Sequence, residues 1–263
     1  MKVAMIGVNG KMGRAILAGI IDSANVKIVG AVDIVGVGAD ISALIGGEPR
    51  NIIVENSMEK MIKDKEPDVI IDFTSPKTVK NNVKIALANK VHIIVGTTGL
   101  SPDDLEEINS LAKEVSRVAF VVPNFALGAV LMMNFSAQAA KYFPNVEVIE
   151  LHHDQKLDAP SGTAIKTLEM MAAEREKIHQ GNPQEVEKIK GARGGEYQGM
   201  RVHSVRLPGY VAHQEVLFGG RGQTLSIRHD SMNRDSFVDG VLLTLNSIGD
   251  LQPGLTYGLE KVL

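Results

Sequence analysis

Cysteine is missing from all 263 residues. This one absence excludes disulfides, thiolate nucleophiles and zinc–thiolate sites together, and it suits an intracellular chain that needs no oxidative staple. A surplus of charge is missing too, since 28 Lys and Arg stand against 31 Asp and Glu for a formal net charge of −3. No broad basic field exists to attract nucleic acid or an acidic membrane surface, so neither is expected as a partner, although a local basic pocket is compatible with that balance. No apolar run approaches the roughly 18 residues of a membrane span. The opening Met1-Lys2-Val3-Ala4-Met5-Ile6-Gly7 turns to glycine too soon for a signal peptide, and a cytoplasmic location is the expectation. Internal repeats and low-complexity tracts are absent as well. Apolar residues, at 44%, are plentiful, enough to bury a substantial core in one large domain or two modest ones.

The first half of the chain alternates short apolar runs of strand type with amphipathic helical stretches, the grammar of a parallel sheet flanked by helices. Candidate strands are Lys2 to Ile6, Lys27 to Asp33, Asp68 to Phe73, His92 to Val95 and Ala119 to Val122. Val69-Ile70-Ile71 and Ile93-Ile94-Val95 are continuous in β-branched residues, as suits strands covered on both faces. Ser101-Pro102-Asp103-Asp104 reads as a helix start: the serine caps, the proline takes the first helical position and the acids face the positive end of the dipole. After Phe125 the pattern changes to a helix from Ala126 to about Phe143, a strand from Val146 to Leu151, a helix after Pro160, and several strand-type runs between Val202 and Arg228. Gln180 to Gly199, with glycines at 181, 191, 194, 195 and 199, reads as a mobile surface loop, either a lid or a linker. A last helix from Ser231 to Ile248 is expected to return to the first domain. The expected class is α/β, with a doubly wound parallel sheet from residues 1–125 and 231–263 and a second, α+β domain over 126–230.

Gly7-Val8-Asn9-Gly10-Lys11-Met12-Gly13 follows the first candidate strand directly and opens a helix carrying Ala15, Ile16, Ile20 and Ile21. Glycines in that setting let the backbone turn tightly and approach a pyrophosphate, whose charge meets free N–H groups and the helix dipole. Asn9 takes the place of the middle glycine and tolerates left-handed backbone angles better than most residues. Asp33 stands 20 residues after Gly13, where an acid accepts hydrogen bonds from the ribose hydroxyls of a dinucleotide. A glycine turn used only for packing, beside an unrelated acid, would satisfy the same letters; strand, loop, helix, strand and acid nevertheless fall in register. The expectation is a Rossmann-type nucleotide domain. The Asp33 charge lies close to where the 2′-phosphate of NADPH would sit, and Ile34 offers no cation to offset it. NADH is therefore expected to serve at least as well as NADPH, with Lys11 or basic residues brought near by folding offsetting part of the repulsion. Gly96-Thr97-Thr98-Gly99 and Val122-Pro123-Asn124-Phe125 end the fourth and fifth candidate strands, beyond whose carboxyl ends the ligands of such sheets bind. Taken singly, each is also a common loop.

His152-His153-Asp154-Gln155-Lys156-Leu157-Asp158-Ala159-Pro160-Ser161-Gly162-Thr163 is the most informative stretch. A strand ends in two imidazoles, a lysine follows, and Ser-Gly-Thr opens a helix whose N–H groups suit an anion. Any one of these residues alone would read as a hydrogen-bonded strand end, a solvated charge or a plain helix cap. Metal binding fits poorly, because adjacent histidines on a strand point to opposite faces and no third ligand stands at a suitable spacing. Together they resemble a reduction site. Hydride delivery to a conjugated ring leaves electron density to be protonated, histidine titrates near neutrality, and lysine adds positive charge where negative charge develops.

GVNGKMG, IDFTSP, GTTG, PNF and, above all, E-x-H-H-x-x-K-x-D-A-P-S-G-T from Glu150 to Thr163 resemble the dihydrodipicolinate reductase family in the same order and over nearly the whole chain. The resemblance implies a nucleotide domain, a central domain that binds substrate and builds a homotetramer, and a carboxyl-terminal return to the first domain. It implies reduction of a cyclic, imine-type dicarboxylate to tetrahydrodipicolinate with NADH or NADPH, in the diaminopimelate route to lysine. It assigns His152 as proton donor or acceptor and Lys156 as second proton donor. His153, Ser161, Gly162 and Thr163 would hold the substrate carboxylates. Gly7, Val8, Asn9, Gly10, Lys11 and Met12, with Asp33, Gly96 to Thr98 and Val122 to Phe125, would contact the cofactor. Asp154 and Gln155 stand where some relatives carry basic residues, and Ile34 stands where NADPH-using relatives often place arginine. Two other classes compete: a nucleotide sensor that has lost its chemistry, against which the intact His152, Lys156 and Ser161 to Thr163 speak, and a different two-domain oxidoreductase.

Overall fold

Val and Ile, stiff at χ1 and well suited to a pleated surface, set the strands of the computed structural model, which describes residues 1–263. The chain runs through β1 (Lys2–Ile6), α1 (Lys11–Ile20), β2 (Lys27–Val32), α2 (Ser42–Ile45), β3 (Val54–Glu55), α3 (Met58–Lys65), β4 (Val69–Asp72), α4 (Val79–Ala88), β5 (His92–Val95), α5 (Pro102–Glu114) and β6 (Val118–Val121). It continues as α6 (Leu127–Ala140), β7 (Asn145–His152), α7 (Gly162–Ala173), β8 (Gly195–Tyr197), β9 (Met200–Arg206), β10 (Ala212–Gly220) and β11 (Gln223–Ser231), and ends with α8 (Val238–Ser247) and β12 (Gly254–Tyr257). Two units result, Met1–Leu127 with Arg234–Leu263, and Gly128–Asn233.

The first unit is a seven-stranded parallel sheet in the order β12-β6-β5-β4-β1-β2-β3. From β1 the chain builds outward through β2 to β3 on one side and through β4, β5 and β6 to β12 on the other, so the order reverses between β1 and β4. A crevice at the carboxyl ends of the strands belongs at such a reversal. Ile70, Ile71, Ile93 and Ile94 are wholly buried, because helices cover both faces of a doubly wound sheet.

Two strands of this sheet, β3 and β12, have no counterpart among the sequence expectations: one is two residues long and the other is a half-exposed edge. The last helix is shorter than expected. Ser231 belongs to β11, where it pairs with Ala212, and helical structure starts only at Arg234 as a 3-10 turn that leads into α8.

The second unit is a mixed five-stranded sheet in the order β11-β10-β7-β9-β8. Helices α6 and α7 cover one face through a cluster that includes Ala140, Val146, Val148, Leu168, Met171 and Val216. The opposite face carries Ile149, Leu151, Val205 and Leu217, half-buried among Glu147, His203 and Glu215. Within the stretch expected to be a mobile loop, Gly195–Tyr197 pairs antiparallel with β9. Gln180 ties the start of that stretch down, since its amide both donates to the Val146 carbonyl at 3.0 Å and accepts from the Val146 N–H at 2.8 Å.

Candidate active site

At the reversal between β1 and β4 a cavity of about 750 Å³ opens, lined among others by Gly7, Asn9, Gly10, Arg14, Asp33 and Ile34. Gly7 has a φ of +78°, and a Cβ there would stand 2.3 Å from the Phe73 carbonyl oxygen; a Cβ on Gly13 would stand 2.0 Å from the Gly7 carbonyl oxygen. Neither position admits a side chain, so strand end and helix start approach each other as a phosphate cradle requires. Asn9, which would tolerate a left-handed conformation, does not adopt one, because Gly7 already supplies the turn. Its N–H instead donates to Asp33 Oδ2 at 2.8 Å, while Val35 N–H donates to Oδ1 at 3.0 Å. Asp33, one residue past β2, thus joins the glycine turn to the following loop, and each oxygen keeps a lone pair for a ribose hydroxyl. Helix α1 has no side-chain cap and no acid in its first turn, which leaves its first N–H groups and dipole for an anion. Helix α5, by contrast, closes its own N-terminus with a capping box between Ser101 and Asp104. Lys11, Val8 and Met12 do not line the cavity, whereas Arg14 does; its guanidinium donates to the carbonyl and side-chain oxygens of Asn9.

The GTTG and PNF segments meet around Phe73, which also lines the cavity. A Cβ on Gly96 would stand 2.2 Å from the Phe73 ring, and the Phe73 and Phe125 ring centroids are 5.6 Å apart. Val122 and Phe125 are buried, Asn124 Oδ1 accepts from the Ala126 N–H at 2.9 Å, and Thr98 and Pro123 are exposed. Sequence reasoning gave no role to Asp72, yet this wholly buried carboxylate organises the floor. It accepts from the Thr74 N–H at 2.8 Å, the Thr74 hydroxyl at 2.7 Å, Asn82 Nδ2 at 2.9 Å and the Thr97 hydroxyl at 2.7 Å. Thr97 therefore faces inward through its side chain.

In the second unit, the helix-covered face of β7 changes character along the strand: Val146 and Val148 are followed by Glu150 and His152. Period-2 alternation puts all four on one face. Glu150 is wholly buried. Its carboxylate accepts from His152 Nδ1, from Arg206 Nη1 at 2.9 Å and Nη2 at 2.7 Å, and from the Ser161 N–H at 3.3 Å. Burial alone would raise its pKa; the hydrogen bonds from His152, Arg206 and Ser204 outweigh that and hold it at about 2. Ionised, the group can only accept, so His152 Nδ1 carries the hydrogen.

Lys156 Nζ donates to Asp158 Oδ1 at 2.7 Å, which holds the Asp158 carboxyl below the usual carboxylate range. Ser161 caps α7 by accepting from the Ala164 N–H at 3.2 Å. The N–H groups of Gly162 and Thr163 fall in the first turn, which has no acid, and a Cβ on Gly162 would meet nothing within 4 Å. His153 is exposed just past the strand. The unit thus gathers His152, Lys156 and the Ser161–Thr163 turn within a single strand-to-helix connection. Sequence reasoning left Glu150 and Arg206 without roles. An acid two residues before a histidine, on an otherwise apolar strand face, is the signal for Glu150; Arg206 lies opposite His152 only through the parallel register of β7 and β9.

A crevice of the dinucleotide type with an open helix terminus marks the class of nicotinamide-dependent oxidoreductases. Residues 1–125 match the family described as dihydrodipicolinate reductase, N-terminus, and residues 128–263 the family described as dihydrodipicolinate reductase, C-terminus. The chain belongs to the dihydrodipicolinate reductase family. It is 49% identical over 263 residues, covering all of both chains, to a protein of Listeria innocua named 4-hydroxy-tetrahydrodipicolinate reductase. A protein of the same name from Moorella thermoacetica is 47% identical over 262 residues, which is all of this chain and 97% of that one. Among solved structures, a dipicolinate-bound dihydrodipicolinate reductase from Paenisporosarcina sp. TG-14 superposes with a TM-score of 0.91 at 44% identity, covering 100% of this chain and 99% of that one. An amine dehydrogenase from Mycobacterium smegmatis shares the fold alone, with a TM-score of 0.69 at 14% identity over 97% of this chain and 94% of that one. No helix is long and apolar enough to cross a membrane.

Proposed function

We propose that this chain reduces 4-hydroxy-tetrahydrodipicolinate to tetrahydrodipicolinate with NADH or NADPH, in the diaminopimelate route to lysine. The observation that carries this reading is the His152, Lys156 and Ser161–Thr163 constellation, built around a buried carboxylate in a chain that matches reductases of that name from end to end. Bound reduced nicotinamide supplies a hydride. Gly7 to Met12 and Asp33 hold the dinucleotide by its phosphates and ribose, and Gly96 to Thr98 and Val122 to Phe125 flank it. His152 moves a proton at Nε2, and Lys156 donates a second proton and offsets charge on the ring. The 4-hydroxyl leaves as water, and the hydride with one proton replaces the two hydrogens that the elimination removes, so the two named compounds differ by a single oxygen. His153 and Ser161, with the N–H groups of Gly162 and Thr163, hold the carboxylates by charge and by the helix terminus. To test the whole reading, substrate is generated from pyruvate and aspartate semialdehyde by a coupling synthase, and oxidation of the nicotinamide is followed. Absence of oxidation above the rate without this chain would overturn it.

The enzyme acts in the cytoplasm as a homotetramer joined through the second unit. Support comes from the half-buried apolar residues on the free face of its sheet and from a sheet's need to cover faces and edges. Light scattering is expected to give the mass of four chains, and a fully active monomer would contradict the assignment.

NADH serves at least as well as NADPH, because Asp33 faces the 2′ position and the next residue, Ile34, is an exposed aliphatic. Arg14 is the cation nearest to hand on the cavity wall, which limits the discrimination to a preference. Ile34→Arg is expected to move the ratio of kcat/KM values toward NADPH by roughly 1 to 3 kcal/mol through a charge-assisted hydrogen bond. A hundredfold wild-type preference for NADPH, unaltered by that substitution, would show that the phosphate is read elsewhere.

A further inference from the structure

We infer that Glu150 and Arg206 are positioning residues for the reaction: the pair fixes the His152 ring with Nδ1–H turned inward, so that Nε2 carries the exchanged proton. The inference rests on the proposed roles of His152 and Lys156. Its physical basis is that neither member of the pair has a hydrogen-bonding position left for substrate at the groups that bond.

A carboxylate offers about four lone-pair directions. Glu150 Oε1 accepts from Arg206 Nη2 and the Ser161 N–H, and Oε2 accepts from Arg206 Nη1 and His152 Nδ1. These four contacts occupy all four directions, and Ser204 crowds the group further. Arg206 likewise uses both Nη groups twice: Nη1 also donates to the Val205 carbonyl at 2.8 Å, and Nη2 also donates to the Asp158 carbonyl at 2.7 Å. Arg206 Nε is buried and so closed to substrate too. Glu150 can therefore influence chemistry only through what it touches, namely the imidazole on one side and the cap residue of α7 on the other.

Through Asp158 the same frame reaches Lys156, whose ammonium rests on the Asp158 carboxylate. The nitrogen of a histidine that is left to react is set by the hydrogen bond its other nitrogen makes.

Within this unit the charged and titratable groups around His152 are Glu150 on its own strand, Arg206 on β9, and His153, Lys156 and Asp158 on the connection to α7; its β10 neighbour is Ala212, which is uncharged. His213 and Asp230 pair with each other on the opposite face of the sheet.

The test uses the full-length enzyme and Glu150→Gln, alone and combined with His152→Ala. Glu150→Gln is expected to lower kcat on the order of 10² to 10⁴-fold, the scale on which a wrong tautomer costs a catalytic histidine, with KM for both substrates within about threefold. Glu150→Asp, which keeps the charge and the acceptor, is expected to recover most of the lost kcat. In the His152→Ala background, Glu150→Gln is expected to change kcat by less than about threefold. The same loss of rate with and without His152, or no recovery in Glu150→Asp, would assign the pair a structural role and overturn the inference.

A second readout is independent of turnover and of any variant: nitrogen-15 shifts of the wild-type His152 ring at a pH where it is neutral. Hydrogen on Nδ1 supports the inference, and hydrogen on Nε2 overturns it. A wild type with no reductase activity would sink the proposed function, while the ring shifts would still decide the tautomer.

Discussion

His152→Ala lowers kcat by about two to four orders of magnitude, the range that positioned proton transfer contributes, and leaves dinucleotide affinity nearly unchanged. The asymmetry follows from where the groups lie. The glycine turn, Asp33 and the cavity they line belong to the first unit, and His152 belongs to the second. Folding survives the change, because Glu150 keeps its contacts with Arg206 and Ser161 when the imidazole is removed. Single-turnover kinetics and titration of NADH fluorescence separate the two effects. Turnover at the wild-type rate would remove His152 from the reaction.

Lys156→Ala costs both rate and substrate affinity. The ammonium rests on Asp158, and its loss removes a charge from a site that must take a dianion while leaving the Asp158 carboxylate without its cation. A charge-assisted contact is worth about 1.5 to 3 kcal/mol, so KM for the dicarboxylate is expected to rise by about 10- to 150-fold, with a comparable or larger fall in kcat. Adding Asp158→Asn to Lys156→Ala is expected to recover part of the KM, because it removes the stranded negative charge, and to leave kcat low. A loss confined to thermal stability would make Lys156 a surface residue.

The parts of the fold legible in sequence are those whose signal is local. Val69-Ile70-Ile71 and Ile93-Ile94-Val95 read as buried strands, and they are wholly buried. The Ser101 capping box is written in four consecutive residues and forms as written. What escaped depends on distant partners. Gly254–Tyr257 has no apolar run and becomes a strand only by pairing with Val118–Val121, with the Leu255 N–H held in addition by Asn109 Oδ1 at 3.0 Å. Ser231 reads equally well as a helix start, and its pairing with Ala212 decides for strand. At the site, Gly7, Asp33, His152 and Ser161 announce themselves by spacing. Asp72 and Arg206 do not, since one works by gathering Thr74, Asn82 and Thr97 and the other by lying across a strand pair. Asn9 shows the same dependence at the backbone: its residue type allows a left-handed turn, but Gly7 next to Phe73 has already made it.

The late pairing of β12 with β6 also bears on how the chain is made. Translation delivers β1 to β6 long before residue 254, and the whole of the second unit, Gly128–Asn233, emerges in between. During that interval the nascent sheet has β6 as an open edge, a row of unpaired N–H and C=O groups on a strand of Val, Ala, Phe and Val, the kind of surface on which growing chains adhere to one another. Pairing of β6 waits for residues 254–257, so between synthesis of β6 and arrival of β12 the apolar β6 strand stands as the edge, and the chain is expected to be more prone to aggregation then than once β12 has paired.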